Sequence, residues 1–124
     1  MKLHLANLGD IKLFTGYTED HVMVNKERFD GNIVVLATEV LSDWPVSRFD
    51  ELNEAHFDYF LDMKPEVLLF GTGKTQRFAH PRLYRKLTEA GIGVEFMDTP
   101  AACRTYNILV AEDRKAIAAI MISK

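Results

Sequence analysis

Two glycines and a lysine follow a short apolar run in this sequence. Residues 67–70 are all apolar, and Gly71, Thr72, Gly73 and Lys74 come directly after them. In α/β proteins a buried strand often ends in such a loop, where backbone amides and a helix N-terminus bind a phosphate or a carboxylate. The lysine adds a positive charge at the same point. The segment therefore predicts a loop that binds an anionic group.

The same part of the chain is basic. Residues 67–88 contain no aspartate or glutamate, and their cations are Lys74, Arg77, Arg82, Arg85 and Lys86. Since the whole chain has a net charge of −3 and this window carries +5, the remaining residues carry −8. The pattern predicts a cationic surface on an acidic body. The alternative is that the glycines form only a tight turn and that the basic residues form a solvated face.

The spacing of the glycines does not fit either of the common phosphate-binding motifs. The last three residues of a P-loop match at 73–75, but its first glycine would fall on Leu68, inside the apolar run. The dinucleotide fingerprint matches at its first two glycines, but its third glycine position is Gln76. A helix should also start at once, whereas Pro81 delays it. We therefore expect no mononucleotide or dinucleotide site.

A second candidate segment follows the next predicted strand, at residues 94–97. Thr99 and Pro100 have the residue types of an N-cap and a first helical residue. If the two strands are parallel, their carboxyl ends meet at one edge of the sheet, so the loop at 71–80 and the turn at 98–104 should be neighbours. The predicted edge site, for a small anionic ligand or a protein partner, consists of Gly71, Thr72, Gly73, Lys74, Arg77, Thr99 and Arg104.

The single cysteine, Cys103, would lie in the first turn of the same helix, where the helix dipole lowers a thiol pKa. His80 and Asp98 could complete a nucleophilic set with it. The alternative, which we favour, is a small buried hydrophobe, because Cys103 shares a helical stripe with Tyr106 and Val110. We assign no catalytic residue, no cofactor and no metal site, since the four histidines lack metal-ligand spacing.

The elements that must position these residues alternate in type. Strands are predicted at 11–14, 21–24, 33–36, 67–70 and 94–97, and helices within 52–63, 81–90 and 99–110. Gly16 and residues 18–20 supply a turn between the first two strands, and Asp50 or Asn53 caps the first helix. Residues 116–122 fit a helix by their alanines and a strand by their isoleucines, and a strand would complete a β-α-β-α-β series.

These elements predict one α/β domain over residues 1–124. We expect three layers, with a mixed sheet between helices on both faces and with antiparallel N-terminal strands. The length suits one hydrophobic core, and the hydrophobic content of 48% is ordinary for a globular protein. The sequence does not indicate an oligomeric state.

Charge and hydropathy exclude several classes of function. A net charge of −3 and a pI of about 5.8 argue against nucleic-acid binding and against a polybasic membrane attachment. One cysteine points to a reducing compartment. No apolar run approaches the roughly 20 residues of a membrane span, and the N-terminus is too polar for a signal sequence. We expect a cytoplasmic protein without membrane insertion.

Two segments resemble a known family. Residues 68–73 followed by Pro81, and residues 97–107 with their ordered small residues, Arg104, Thr105 and Asn107, are similar to a family of small uncharacterised bacterial proteins. The same domain occurs in the mitochondrial NADH:ubiquinone oxidoreductase complex assembly factor 3. The likeness runs from about Phe14 to Met121. It implies a three-layer α/β fold with a mixed sheet, a strand at 116–122 and no established reaction.

Three hypotheses of function follow. The resemblance implies a non-enzymatic binding or assembly-accessory protein, because the eukaryotic relative acts by binding other proteins during respiratory complex assembly. The alternative is a small-molecule binding protein or enzyme that uses the edge formed by Gly71–Gly73 and Asp98–Arg104. A third hypothesis is a structural subunit whose cationic window docks on an acidic protein.

Overall fold

The computed structural model describes residues 11–18 and 20–122. Its strands, in chain order, are β1 (Phe14–Tyr17), β2 (Val22–Val24), β3 (Glu27–Phe29), β4 (Ile33–Val35), β5 (Val40–Leu41), β6 (Val67–Thr72), β7 (Gly93–Met97) and β8 (Ala116–Met121). Its α-helices are α1 (Glu54–Asp58), α2 (Arg85–Glu89) and α3 (Thr99–Ala111). Short 3-10 turns lie at Phe49–Glu51, Leu61–Met63 and Pro81–Tyr84.

The described strands form two sheets. The main sheet has the order β5-β4-β8-β6-β7, in which β6 runs parallel to β8 and β7, and β4 runs antiparallel to β8 and β5. The smaller sheet is an antiparallel β1-β2-β3 meander. The prediction of a mixed sheet with antiparallel N-terminal strands is confirmed. The prediction of a strand at residues 116–122 is also confirmed, as β8 at the centre of the main sheet.

Two buried clusters lie on opposite faces of the main sheet. One face packs against α3 and the small sheet, through Leu69, Ala118 and Ile120. The other face packs against α1 and α2, through Leu68 and Phe70. Because side chains alternate along a strand, β6 and β8 contribute to both clusters and are buried on both sides. This gives the expected three layers.

Several N-terminal predictions were wrong in detail. The first strand begins at Phe14 instead of residue 11, because the side chain of Asn25 forms hydrogen bonds with the backbone just before Phe14. Its Oδ1 accepts from Leu13 N at 2.9 Å and its Nδ2 donates to Ile11 O at 3.1 Å. Gly16 lies inside β1, at a shift of register, and not in a turn. The strand at Ile33–Val35 agrees with the prediction of antiparallel N-terminal strands, because it pairs antiparallel with β8 and β5 in the main sheet.

Helix boundaries also differ from the sequence patterns. The predicted helix within 52–63 is only α1 followed by a 3-10 turn, and Lys64 in the left-handed region (φ 50°) ends it. Asn53 caps α1 by accepting from His56 N at 3.2 Å. Pro81 starts its turn as predicted. The cap of α3 is Asp98 and not Thr99, because Asp98 Oδ1 accepts from Ala101 N at 2.8 Å.

Candidate functional site

The loop after β6 and the start of α3 are neighbours at the carboxyl edge of the main sheet. Gly71 at the end of β6 lies beside Met97 at the end of β7 in the parallel ladder. Thr99 N donates to Gly73 O at 2.9 Å, and Gly73 N donates to Thr99 Oγ1 at 2.9 Å. The two predicted segments are thus joined by direct hydrogen bonds.

Thr99 is fully buried and connects three elements. Its hydroxyl accepts from Gly73 N and donates to Met121 O at 2.6 Å, which joins the start of α3 to the ends of β6 and β8. A Cβ on Gly71 would lie 3.0 Å from Thr99 Oγ1 and 3.1 Å from Thr99 Cα, so only glycine lets the helix approach this closely. Gly73 has φ 92°, which also favours glycine. Close packing and turn geometry explain both glycines, and the amide of Gly73 is already satisfied.

Residues 73–80, which we call the Phe78 loop, fold back against β7. Thr72 Oγ1 lies 2.6 Å from Thr75 O and 3.0 Å from Met97 O, and it accepts from Arg77 N at 3.1 Å. Gln76 Nε2 donates to Phe96 O at 2.8 Å. These bonds fix the backbone of the loop from both ends, so its exposed side chains are presented on an ordered segment.

Most of the predicted cationic window is paired within the chain. Arg77 Nη2 lies 2.5 Å from Asp50 Oδ1, and its guanidinium stacks 4.3 Å above the ring of Phe49. Lys86 pairs with Asp58 at 3.3 Å. In addition, Arg85 lies 3.9 Å from Glu89. These three carboxylates lie outside the window and offset three of its five positive charges. The surface is therefore less cationic than the sequence predicted.

The other predicted cations lie on exposed positions. Lys74 is exposed in the Phe78 loop and Arg104 is exposed on the first turns of α3. Arg82 is exposed beside Pro81. Neither Arg82 nor Arg104 forms an ion pair with any residue of the two described ranges. The residues of the predicted edge site thus lie close together. However, the backbone amide of Gly73 already donates to Thr99, and Arg77 already pairs with Asp50.

Sequence reasoning missed the most exposed aromatic side chain of this edge. Phe78 has 71% of its surface exposed, and its ring meets Phe96 of β7 at a centroid distance of 6.0 Å. Ile108, on the solvent side of α3, is the other large apolar residue exposed in the described part of the chain, at 58%. The signal for Phe78 was an aromatic residue in a segment with no apolar periodicity around it.

Cys103 is buried among apolar residues and does not form the set with His80 and Asp98. Burial raises the pKa of its thiol to about 12, which outweighs the opposite influence of Arg104. His80 Nδ1 accepts from Arg82 N at 3.1 Å and so caps its own turn. Asp98 caps α3. Each of the three residues has a separate local role, and the interpretation of Cys103 as a buried hydrophobe agrees with this geometry.

Two cavities lie away from the Phe78 loop. One of about 400 Å³ is at the opposite edge of the sheet, between Leu36, Val110 and the start of β8, with Glu66 at its wall. A backbone hydrogen bond from Lys115 and the nearby Arg114 lower the pKa of Glu66. The other, of about 520 Å³, lies beside Trp44. Within residues 11–18 and 20–122, no group of three or more His, Cys, Asp or Glu side chains is placed to hold a metal ion.

The fold is thus a three-layer α/β fold with a mixed sheet, and a tight hydrogen-bonded junction closes its carboxyl edge. A family described as a protein of unknown function (DUF498/DUF598) matches residues 14–121. This chain belongs to that family, and the resemblance found in the sequence is confirmed.

Relatives of known name fall into different groups. A 13 kDa major membrane protein of Francisella tularensis is 30% identical over 102 residues, which are 82% of this chain and 83% of that protein. The NADH dehydrogenase (ubiquinone) 1 alpha subcomplex assembly factor 3 of Bos taurus is 33% identical over 107 residues, or 85% of this chain and 58% of that protein. The chain therefore spans a little over half the length of this assembly factor.

A solved structure agrees with the fold. The crystal structure of a protein from Bordetella parapertussis superposes with a TM-score of 0.84 at 37% identity, covering 91% of this chain and 97% of that one. In the described part of our chain, none of the helices has the length and apolar character needed to cross a bilayer.

Proposed function

We propose that this chain is a non-enzymatic accessory protein that binds another protein while a multi-subunit complex is assembled. The relatives named as NADH dehydrogenase assembly factors support this proposal. The bovine one is 33% identical to this chain over 85% of the chain's length. A respiratory complex is the natural first candidate for the assembly. The Phe78 loop is the proposed contact surface.

The exposed ring of Phe78 is the observation that carries the proposal. Large aromatic side chains left in solvent on an ordered segment are typical anchors of protein interfaces. Here the segment is held by the Gln76 and Thr72 hydrogen bonds, and the neighbouring Arg77 is fixed by Asp50 and Phe49. Because little ordering would be required on binding, a partner could gain most of the contact energy of the ring.

Affinity purification with quantitative mass spectrometry tests this proposal. The baits are the natural chain, Phe78→Ala, and Ile108→Ala as a control for loss of an exposed apolar group on another surface. We expect Phe78→Ala to weaken capture of the specific partner by about 2 kcal/mol, or about thirtyfold, while Ile108→Ala captures it normally. Recovery of the bait alone, or equal capture by Phe78→Ala, would contradict the proposal.

The small-molecule hypothesis depends on donors that this geometry engages elsewhere. Gly73 N already donates to the Thr99 hydroxyl, and Arg77 already binds Asp50, so an anion could use either donor only by breaking a contact within the chain. An NMR titration with phosphate, nucleotides or carboxylates distinguishes the two functions. Amide shifts at Gly71, Gly73 and Arg104 would support the ligand, and unchanged spectra at millimolar ligand would remove it.

The expected cytoplasmic location also stays a prediction, made from composition. Cell fractionation tests this location. Recovery in the cytosolic fraction would support it, and recovery in the membrane fraction, which the name of the Francisella relative suggests, would contradict it.

A further inference from the structure

The outer edge of the main sheet is formed by β7, the last strand in the order β5-β4-β8-β6-β7. At the other end of the sheet β5 has two residues, whereas β7 has five. No strand of the described ranges lies beyond β7. A long edge strand is a template on which another chain can add a strand, and natural proteins often shorten or cover such edges.

The hydrogen-bonding direction of each β7 residue follows from one contact. Gly93 N donates to Glu66 O at 3.1 Å, so Gly93 faces β6. Because successive residues of a strand alternate, Glu95 and Met97 also face β6, and the backbone groups of Val94 and Phe96 point outward. Gln76 Nε2 already occupies Phe96 O. The N–H and C=O of Val94 and the N–H of Phe96 are therefore the groups that an added strand can meet.

The side chains define what such a strand would contain. Val94 and Phe96 lie on the α1 and α2 face, where Phe78 extends the apolar surface beside them. Glu95 is exposed and points to the opposite face. In an antiparallel pair with an added strand, Glu95 would occupy a non-hydrogen-bonded position, where facing side chains approach most closely. An opposite charge there is favourable and a like charge is unfavourable.

This charge also bears on pairing with a second copy of the chain. The antiparallel register that uses all five residues of β7 from two copies places Glu95 opposite Glu95. That arrangement sets two carboxylates against each other at the closest position of the ladder, so it disfavours self-pairing. The edge therefore suits a different protein better than it suits a second copy.

We infer that β7 accepts an extended segment of another protein as an added antiparallel strand, with a lysine or arginine opposite Glu95 and apolar residues on either side of that cation. The inference rests on the proposed function, because it describes how the partner anchored at Phe78 is held. The apolar residues of the segment would pack beside Phe78, and its backbone would bond to Val94 and Phe96.

Synthetic peptides test the edge without knowledge of the partner. The probe is an acetylated and amidated peptide of sequence Ser-Thr-Val-Lys-Val-Thr-Ser, and the control has Glu in place of Lys. Titrated into the isotope-labelled full chain, the Lys peptide should shift the amides of Val94 and Phe96 and slow their hydrogen exchange. The Glu peptide should bind about fivefold more weakly, and Glu95→Lys should reverse this preference.

Two further arms examine the backbone contacts. Val94→Pro removes an outward N–H that the β6 ladder does not use, so the sheet should persist while peptide binding is lost. Methylating the peptide nitrogens that face β7 gives the same test without altering the chain. Absence of shifts at Val94 and Phe96 with millimolar Lys peptide, equal binding of both peptides, or sedimentation that shows pairing of two copies through β7 would overturn the inference.

The outcomes separate this inference from the proposed function. Suppose that a partner is captured through Phe78, but that hydrogen exchange at the Val94 and Phe96 amides is as fast in the complex as in the free chain. Strand addition is then wrong and protein binding stands. If the Lys peptide binds at β7 while no partner depends on Phe78, the edge inference stands and the proposed anchor is wrong.

Discussion

Replacing Thr99 by valine should be among the most damaging single changes at the carboxyl edge. Valine keeps the shape of threonine but removes the hydroxyl that accepts from Gly73 N at 2.9 Å and donates to Met121 O at 2.6 Å. Both backbone groups would then be buried beside a methyl group. An unsatisfied buried group costs roughly 1–3 kcal/mol, so with partial relaxation we expect a loss of about 3 kcal/mol in the free energy of unfolding.

Thr105→Val is the matched control, because it makes the same change six residues further along α3. The Thr105 hydroxyl donates to Ala101 O at 2.9 Å, an acceptor within the same helix, and the site is only part-buried. We expect a loss of less than about 1 kcal/mol there. With a urea m-value of about 2 kcal/mol/M, the Thr99 variant should lower the midpoint by about 1.5 M. Equal midpoint shifts for the two variants would refute the role assigned to the buried hydroxyl.

Other predictions concern Gly71 and Cys103. Gly71→Ala should cost about 1–3 kcal/mol in urea unfolding, because its Cβ would meet Thr99 backbone at 3.1 Å, whereas Gly31→Ala, with no atom within 4 Å, should be close to neutral. Cys103 should resist iodoacetamide in the native state and react on unfolding, since its thiol is buried and protonated; fast stoichiometric labelling of the folded chain would contradict this. Between pH 9.0 and about 12 the thiol ionises in the unfolded chain but keeps its proton in the folded chain. The free energy of unfolding should therefore fall as the pH rises through this range. Cys103→Ala should make the free energy of unfolding depend less steeply on pH.

Strong local signals made much of the fold predictable. The apolar run ending at Gly71 became β6, Pro81 began its helical turn, and the buried stripe of Cys103, Tyr106 and Val110 became the inner face of α3. These features depend on residues close in sequence. The strand β8 needed the resemblance as well, because its alanines alone fit a helix.

Features that depend on distant partners were not predictable. The short polar strand β3 follows a turn at Asn25 and Lys26, which both have positive φ without a glycine to signal it. Arg77 looked like a free cation because its partner, Asp50, is 27 residues away. Likewise, the partner of Gly73 N is the hydroxyl of Thr99, 26 residues away.

The glycine loop shows why such a motif is ambiguous on sequence alone. Glycine is needed wherever a backbone comes too close to another group to leave room for a Cβ, whether that group is a ligand or a helix. At Gly71 the group is the start of α3. Here Thr99 occupies the space that a ligand would need, so the glycines and the buried hydroxyl are accounted for by folding. Folding does not account for the exposed ring of Phe78 or for the outward backbone groups of β7. These two features lie side by side, and the protein contact that we propose rests on them. We therefore expect experiments on function to be more informative along the β7 edge than at the loop's amides.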